Sequence, residues 1–327
     1  MDEFSFIRSI APKVHRQSGL IKGIGDDTAV FRQPYQDIVT AVDTFVEGVH
    51  FTRKTMAPYH VGYRVLAANI SDIAAMGGTP AFYMISIVIP EGWSEEDLAS
   101  IYKGMDDLAS LYHIDLIGGD TVSGKELSIS VTIIGYVEQN KVRYRSHARE
   151  KDIVFATGTL GDASAGLDLL TNADSGRGLP EEARNYFIHR HRMPSPRVSF
   201  AKALHAAERV ALNDISDGIA NEAAEIAEAS NVSLHLYDEQ IPVHQSFKRF
   251  KREQQRKWKL FGGEDFELLG TIPERDWPIV LSAANKAMIP VAKIGVVTTP
   301  SSGAGNVVLH EGNRHTILDK AGYTHLK

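Results

Sequence analysis

Five β-rich runs alternate with amphipathic stretches along this chain, and that alternation is the strongest constraint on its fold. DIVTAVDTF (37–45), AFYMISIVI (81–89), LSISVTIIGYV (127–137), DIVFATG (152–158) and VAKIGVV (291–297) carry the β-branched and aromatic residues of strands. Residues 60–76, 94–112, 196–207 and 218–230 place apolar side chains at helical spacing. Strands interleaved with helices predict an α/β (α+β) architecture. The polar stretch EQNKVRYRSHARE (138–150) predicts a boundary, with domains at 1–140 and 141–327.

Composition narrows the chemistry. None of the 327 residues is a cysteine, so disulfides, thiolate metal sites and cysteine nucleophiles are excluded. The formal net charge of −6 gives no nucleic-acid footprint. The basic segment HQSFKRFKREQQRKWK (244–259) reads as a solvated helix face. AFYMISIVIP (81–90) is too short to span a bilayer, and MDEFSFIRSI lacks the basic-then-apolar order of a signal peptide. The expectation is a cytoplasmic protein with no membrane and no nucleic-acid partner.

Aspartates beside glycines supply the functional signal. They occur in GIGDD (Asp26, Asp27), VDTFVEGVH (Asp43), NISDIAAMGG (Asp72), IGGD (Asp120), NDISDG (Asp214, Asp217) and GGEDFEL (Glu264, Asp265). Aspartate and glycine are poor formers of strands and helices, so each motif lowers local stability. Singly, such residues close strands or cap helices. Asp72 is different, because Val65, Asn69, Asp72 and Met76 fall on one helical stripe and a part-buried carboxylate needs a partner or a metal. Together, these carboxylates suit a hard cation such as magnesium, which takes oxygen ligands and accompanies phosphates. The 13 histidines show no H-E-x-x-H pairing, which disfavours zinc.

GGDTVSGKE (118–126) nearly matches the phosphate-cradling pattern G-x-x-x-x-G-K-[ST] through Gly119, Gly124 and Lys125. Glu126 stands where that pattern needs a hydroxyl, and the residues after Lys125 read as a strand rather than a helix. Lys125 is therefore a turn residue, and the informative group is Asp120, presented by two glycines at the end of IDLIGG.

In order and spacing, GIGDD, VDTFVEGVHF, NISDIAAMGG, IGGDTVSG, NDISDG and GGEDFEL resemble the thiamine-monophosphate kinase family, part of the aminoimidazole ribonucleotide synthetase superfamily. GYTH (322–325) resembles the family's C-terminal end. The resemblance implies a two-domain fold whose N-terminal domains pair in a homodimer and complete a shared barrel, with ATP near the interface. The implied reaction transfers the γ-phosphoryl of ATP to thiamine monophosphate, the last step towards thiamine diphosphate. Implied magnesium ligands are Asp27, Asp43, Asp72, Asp120, Asp214 and Asp217, with Asp26 a weaker neighbour. Implied ATP contacts are Tyr102, Gly119, Asp120, Arg145 and Ser216; His50, Glu264 and Tyr323 would meet thiamine monophosphate. The chain departs from the family at Ala41 and Val42, where hydroxyl residues are common.

That chemistry explains the acidic density. Two anions must be held together, so several magnesium ions are required and carboxylates must anchor them. A phosphate monoester loses its second proton near about pH 6, so the acceptor is ionised at neutral pH and no general base is required. Two other readings stay open from sequence: a related ATP-using synthetase, and a magnesium-nucleotide sensor without turnover.

Overall fold

A computed structural model describes residues 10–22, 24, 30–32, 35–300 and 305–320, and the chain in it divides into two units. Residues up to Ile73 with Gly78–Asn140 form the first; Ala74–Gly77 with the chain from Lys141 form the second. The first opens with a short antiparallel pair, β1 (Leu20–Lys22) and β2 (Val30–Phe31). It continues through β3 (Asp37–Val46), α1 (Pro58–Ala75), β4 (Thr79–Ile89), α2 (Glu95–Tyr112), β5 (Asp115–Ser123) and β6 (Ser128–Val137). Its four-stranded sheet has the order β3-β6-β4-β5, parallel only between β4 and β5.

SISVTIIGYV forms β6 because its alternation sends Ile129, Val131, Ile133 and Val137 to one face, where each is buried. The helices cover that face with Val65, Leu66, Ile70 and Ile73 from α1 and Ile101, Met105 and Leu108 from α2. A reciprocal capping box between Ser94 and Asp97 starts α2, and His113 in the left-handed conformation ends it. The two helix backbones touch through glycines. A Cβ on Gly62 would stand 1.9 Å from the Ile101 carbonyl oxygen, and one on Gly104 2.0 Å from that of Tyr59.

The opposite face is half covered. Leu20 and Phe31 of the small hairpin pack against Phe82, Met84, Ile134 and Tyr136, with the Phe31 and Phe82 rings 4.8 Å apart. Beyond that cluster the face is open, with Ile38 47%, Val42 62% and Val122 45% exposed.

The second unit contains β7 (Asp152–Thr157), α3 (Asp162–Thr171), α4 (Glu181–Arg192), α5 (Val198–Ala203), β8 (Ala211–Ile215) and α6 (Ile219–Ser230). There follow β9 (Ser233–Tyr237), α7 (Arg252–Phe261), β10 (Glu267–Pro273), α8 (Trp277–Ala287), β11 (Val291–Thr298), β12 (Val307–Glu311) and β13 (Arg314–Leu318). Its seven strands run in the order β13-β12-β9-β11-β7-β10-β8. All pairs are antiparallel except β12 with β9. One face packs on α6 through Val154, Ala156, Ala223 and Ile226; on the other, Phe155 meets Phe200 of α5 and Trp277 of α8.

The expected helix at 196–207 is shorter: it starts at Val198, with Arg197 at its N-cap, and its end tightens into a 3₁₀ turn at Leu204–Ala206. Segment 244–259 buries Phe247, Phe250 and Trp258 and exposes Lys248, Arg249, Lys251, Arg252, Arg256 and Lys257, a solvated basic face as expected. Among the described residues no helix is long and apolar enough to cross a membrane.

One ionic cluster lies wholly inside this unit. Glu267, at the start of β10, is fully buried and accepts from Thr157 Oγ1 (2.7 Å), Arg190 Nη2 (2.8 Å), and both Nε (2.6 Å) and Nη2 of Arg197. Burial alone would raise its pKa, but the Arg197 and Arg190 guanidinium groups hold it below the ordinary carboxylate value of 4.5. Glu267→Gln removes the carboxylate that Arg197 and Arg190 share, leaving Arg190 only its 4.0 Å pairing with Asp162, and should lower stability at pH 7 by about 3 kcal/mol. A depressed folded-state pKa stabilises above the unfolded value and ceases to do so as pH falls. Denaturant melts should therefore show the gap between protein and variant closing below about pH 4.5.

Candidate functional site

In the first unit, β3 alternates Val39, Ala41, Asp43 and Phe45 towards the helices. The backbone N–H of Asp43 donates to Asn69 Oδ1 at 3.2 Å, and Asn69 Nδ2 donates to the Val65 carbonyl at 2.9 Å. Asn69 is fully buried, so this amide ties α1 to β3 and fixes both. Asp72 lies three residues further along α1, half-buried, on the stripe that the sequence predicts. Asp43 and Asp72 thus belong to one side of the sheet.

Asp120 belongs to the other side. Its strand does not end at the glycines but runs on to Ser123, pairing with β4 throughout after a bulge near Tyr83 and Met84. Asp120 stands opposite Ser86, which stands opposite Ser130, whose hydroxyl bonds that of Thr44 at 2.7 Å. The row crosses the open face of the sheet. Gly119 is demanded by packing, since a Cβ there would lie 2.1 Å from the Ile85 carbonyl oxygen. Tyr102 rides on α2, on the helix-covered side, and burial pushes its phenol pKa up. The structure therefore does not bring Tyr102 and Asp120 to one face.

His50 closes the turn after β3. Its Nδ1 accepts from the Val46 N–H at 3.0 Å, which selects the tautomer protonated on Nε2, and its ring stacks on Phe45 with centroids 5.0 Å apart. Beside this turn is an open cavity of about 430 Å³ whose walls include Glu47, Arg53, Trp93, Lys125 and Glu126. Trp93 Nε1 donates to Glu47 at 3.1 Å, and the Arg53 guanidinium lies 4.0 Å above the indole. Lys125 sits in the bend between β5 and β6, as the sequence implies. Asp26, Asp27 and Tyr323 lie outside the described residues.

In the second unit two loops run side by side. The Glu264 N–H donates to the Ser216 carbonyl at 2.7 Å, and the Phe266 N–H to that of Ile215 at 3.0 Å. Glu264 and Phe266 are both left-handed, with φ of 67° and 50°. Between them, the buried Asp265 carboxylate accepts from the Gly161 and Ala163 N–H groups (2.6 and 3.0 Å) at the start of α3. Burial, then the neighbouring Asp162 charge, pushes the Asp265 pKa up to about 8. These loops bring Asp214, Ser216, Asp217 and Glu264 together.

Arg145 joins them through two residues that the sequence reading missed. From a short 3₁₀ turn, its Nε donates to Asn213 Oδ1 at 3.0 Å, and its Nη1 lies 3.5 Å from Glu225. Asn213 Nδ2 donates to Glu222 Oε2; Glu222 Oε1 accepts from the Asp217 N–H at 3.0 Å and the Ser216 hydroxyl at 3.4 Å. Glu222 is 4% exposed, and burial, then Asp214, raises its pKa. Its sequence signal is its place in Ile219, Glu222, Ala223 and Ile226, the buried stripe of α6. Asn69 carries the same signal on α1.

Among the described residues no three histidine, aspartate or glutamate side chains converge closely enough to hold a metal ion by themselves. The donor set still fits magnesium, which uses one or two carboxylates and completes its shell with waters and substrate phosphates. Asn69→Ala orphans the Asp43 N–H and should lower stability by about 1–3 kcal/mol, read as a fall in melting temperature.

Known protein families match both units of the chain. The model for AIR synthase related protein, N-terminal domain, covers residues 25–137, and that for the C-terminal domain covers 149–308. The chain is 44% identical to the thiamine-monophosphate kinase of Bacillus subtilis over 100% of both chains. It superposes on the crystal structure of thiamine-monophosphate kinase from Stenotrophomonas maltophilia with a TM-score of 0.82 and 30% identity, over 93% of this chain and 94% of that one. It also superposes on AaThiL complexed with AMPPCP and TMP, with a TM-score of 0.73 and 31% identity over 88% of each.

Proposed function

The chain belongs to the thiamine-monophosphate kinase family and has its two-domain AIR synthase-like fold; on that premise we propose that it phosphorylates thiamine monophosphate with ATP. The observation that carries the reading within the molecule is the pair of locked loops. They set Asp214, Ser216, Asp217 and Glu264 beside one another and reach Arg145 through Asn213 and Glu222.

In the second unit Arg145 and Ser216 would meet ATP, the guanidinium through its planar fork of donors; in the first unit Gly119 and Asp120 would do so, and Tyr102, half-buried on the other side of that sheet, drops out of the set. His50, Glu264 and Tyr323 hold thiamine monophosphate; His50, protonated on Nε2, offers a phosphate oxygen a neutral donor. Asp27, Asp43, Asp72, Asp120, Asp214 and Asp217 anchor several magnesium ions. Magnesium, when bound, neutralises the triphosphate and the acceptor phosphate so that two anions tolerate one another. The acceptor is ionised at neutral pH, so no side chain has to remove a proton. One of its oxygens attacks the γ-phosphorus in line as the bond to the β–γ bridging oxygen breaks. ADP leaves, and no phosphoenzyme forms. The enzyme works in the cytoplasm.

The open face of the first sheet supports a homodimer. Ile38 and Val42 on one edge strand and Val122 on the other are exposed on it at 47%, 62% and 45%, apolar side chains that a facing sheet would cover. A second copy of the chain is the partner that this reading assigns to it. Light scattering should give a dimer mass, and Val42→Asp should shift it towards the monomer; an unchanged mass in the variant removes this face from the interface.

Purified protein with ATP, magnesium and thiamine monophosphate should yield thiamine diphosphate and ADP in equal amounts on chromatography. ADP alone would point to a related synthetase, and no ATP turnover to a nucleotide sensor. Asp72→Asn and Asp120→Asn should each lower turnover by about 100-fold while the melting temperature changes little. Near-normal rates in both would remove these residues from the metal set.

A further inference from the structure

Arg145 is half exposed, and its Nε is anchored only through the side-chain amide of Asn213. An asparagine amide has one accepting and one donating end, and which end faces Arg145 depends on what holds the other. Here the other end faces Glu222. Three donors converge on that carboxylate, Asn213 Nδ2 on one oxygen and the Asp217 N–H and Ser216 hydroxyl on the other. With Nδ2 turned to Glu222, Oδ1 has to face Arg145. Asn213 and Glu222 are 2% and 4% exposed, so water does not easily replace either partner.

We infer that Glu222 is a positioning residue that sets Arg145, through the Asn213 amide, together with the Ser216–Asp217 loop, so that nucleotide-binding groups from two separate segments keep one geometry. This rests on the reading of Arg145, Ser216 and Asp217 as nucleotide- and metal-binding residues. Glu222 itself touches neither substrate. In Glu222→Gln the new side-chain amide has to accept the buried Asp217 N–H through its oxygen, which turns its NH₂ towards Asn213. Asn213 then flips to present Oδ1 to that NH₂, and its own NH₂ meets the Nε–H of Arg145. Two donors face each other and the anchor is lost. Adding Asn213→Asp restores it, because aspartate accepts from both sides and the total charge equals that of the starting protein.

The experiment measures AMPPCP binding with magnesium by calorimetry, together with steady-state kinetics for both substrates. Glu222→Gln should weaken AMPPCP binding and raise the ATP KM by about tenfold, or about 1.4 kcal/mol, and leave the thiamine monophosphate KM within about twofold. The double variant, Glu222→Gln with Asn213→Asp, should recover most of that loss. Asn213→Ala, which cuts the relay while leaving the Asp217 and Ser216 bonds to Glu222 in place, should reproduce the loss. Normal AMPPCP affinity in Asn213→Ala overturns the inference. So does a Glu222→Gln defect that tracks a lower melting temperature and is not recovered by the double variant. AMPPCP binding is read apart from turnover, so a starting protein that binds AMPPCP but makes no thiamine diphosphate would sink the kinase reading while leaving the relay testable.

Discussion

The loop that leads into β10 in the second unit hangs from one buried carboxylate. Glu267 draws Arg190, Arg197 and Thr157 to the start of β10, and Arg190 also donates to the Asp265 carbonyl at 3.1 Å. A buried ion cluster is a weak source of net stability, because desolvating its charges offsets their attraction. What it supplies here is geometry. The chain before β10 has no regular structure from Gly262 to Phe266, so its path has to be dictated by side chains. Arg190 holds it from one side, the N–H groups at the start of α3 hold Asp265 from another, and the carbonyls of Ile215 and Ser216 from a third. Glu264 is held in place by its own N–H on Ser216 and by the bonds of Asp265 and Phe266 beside it.

The first unit solves the same problem with less charge. Asn69 is a neutral amide that satisfies a strand N–H on one side and a helix carbonyl on the other. Placing Asp43 and Asp72 then depends on the packing of α1, which is limited by glycine contacts with α2 at near van der Waals range. One unit fixes its acidic groups by close backbone packing and the other by buried ions.

Much of the fold was legible in the sequence because it depends on periodicity. The alternation in 128–137 and the capping box at Ser94 are local signals, and the structure follows both. The start of α5 at Val198 lies two residues inside the span that spacing gives, because spacing locates a helical face better than it locates its end. The acidic motifs stand out in the sequence, but the residues that support them do not. Asn69, Asn213 and Glu267 each bond a residue distant in sequence, namely Asp43, Arg145 and Arg190 among others, and nothing local marks such partners; Glu222 bonds back to Asn213, Ser216 and Asp217. Their one trace is a polar residue on a stripe that should be apolar. Which face of the first sheet each aspartate occupies was also hidden, because two glycines obscure the register of β5.

The left-handed backbone at Glu264 and Phe266 sets a limit on improving this protein. Ordinary L-residues in that conformation cost of order 1 kcal/mol each, which glycine would relieve. A search for stabilising substitutions scored on backbone fit alone would select these two positions early. At Glu264 it would gain robustness by deleting the carboxylate proposed to meet thiamine monophosphate. Directed evolution for heat tolerance and directed evolution for turnover should therefore diverge first at this short segment.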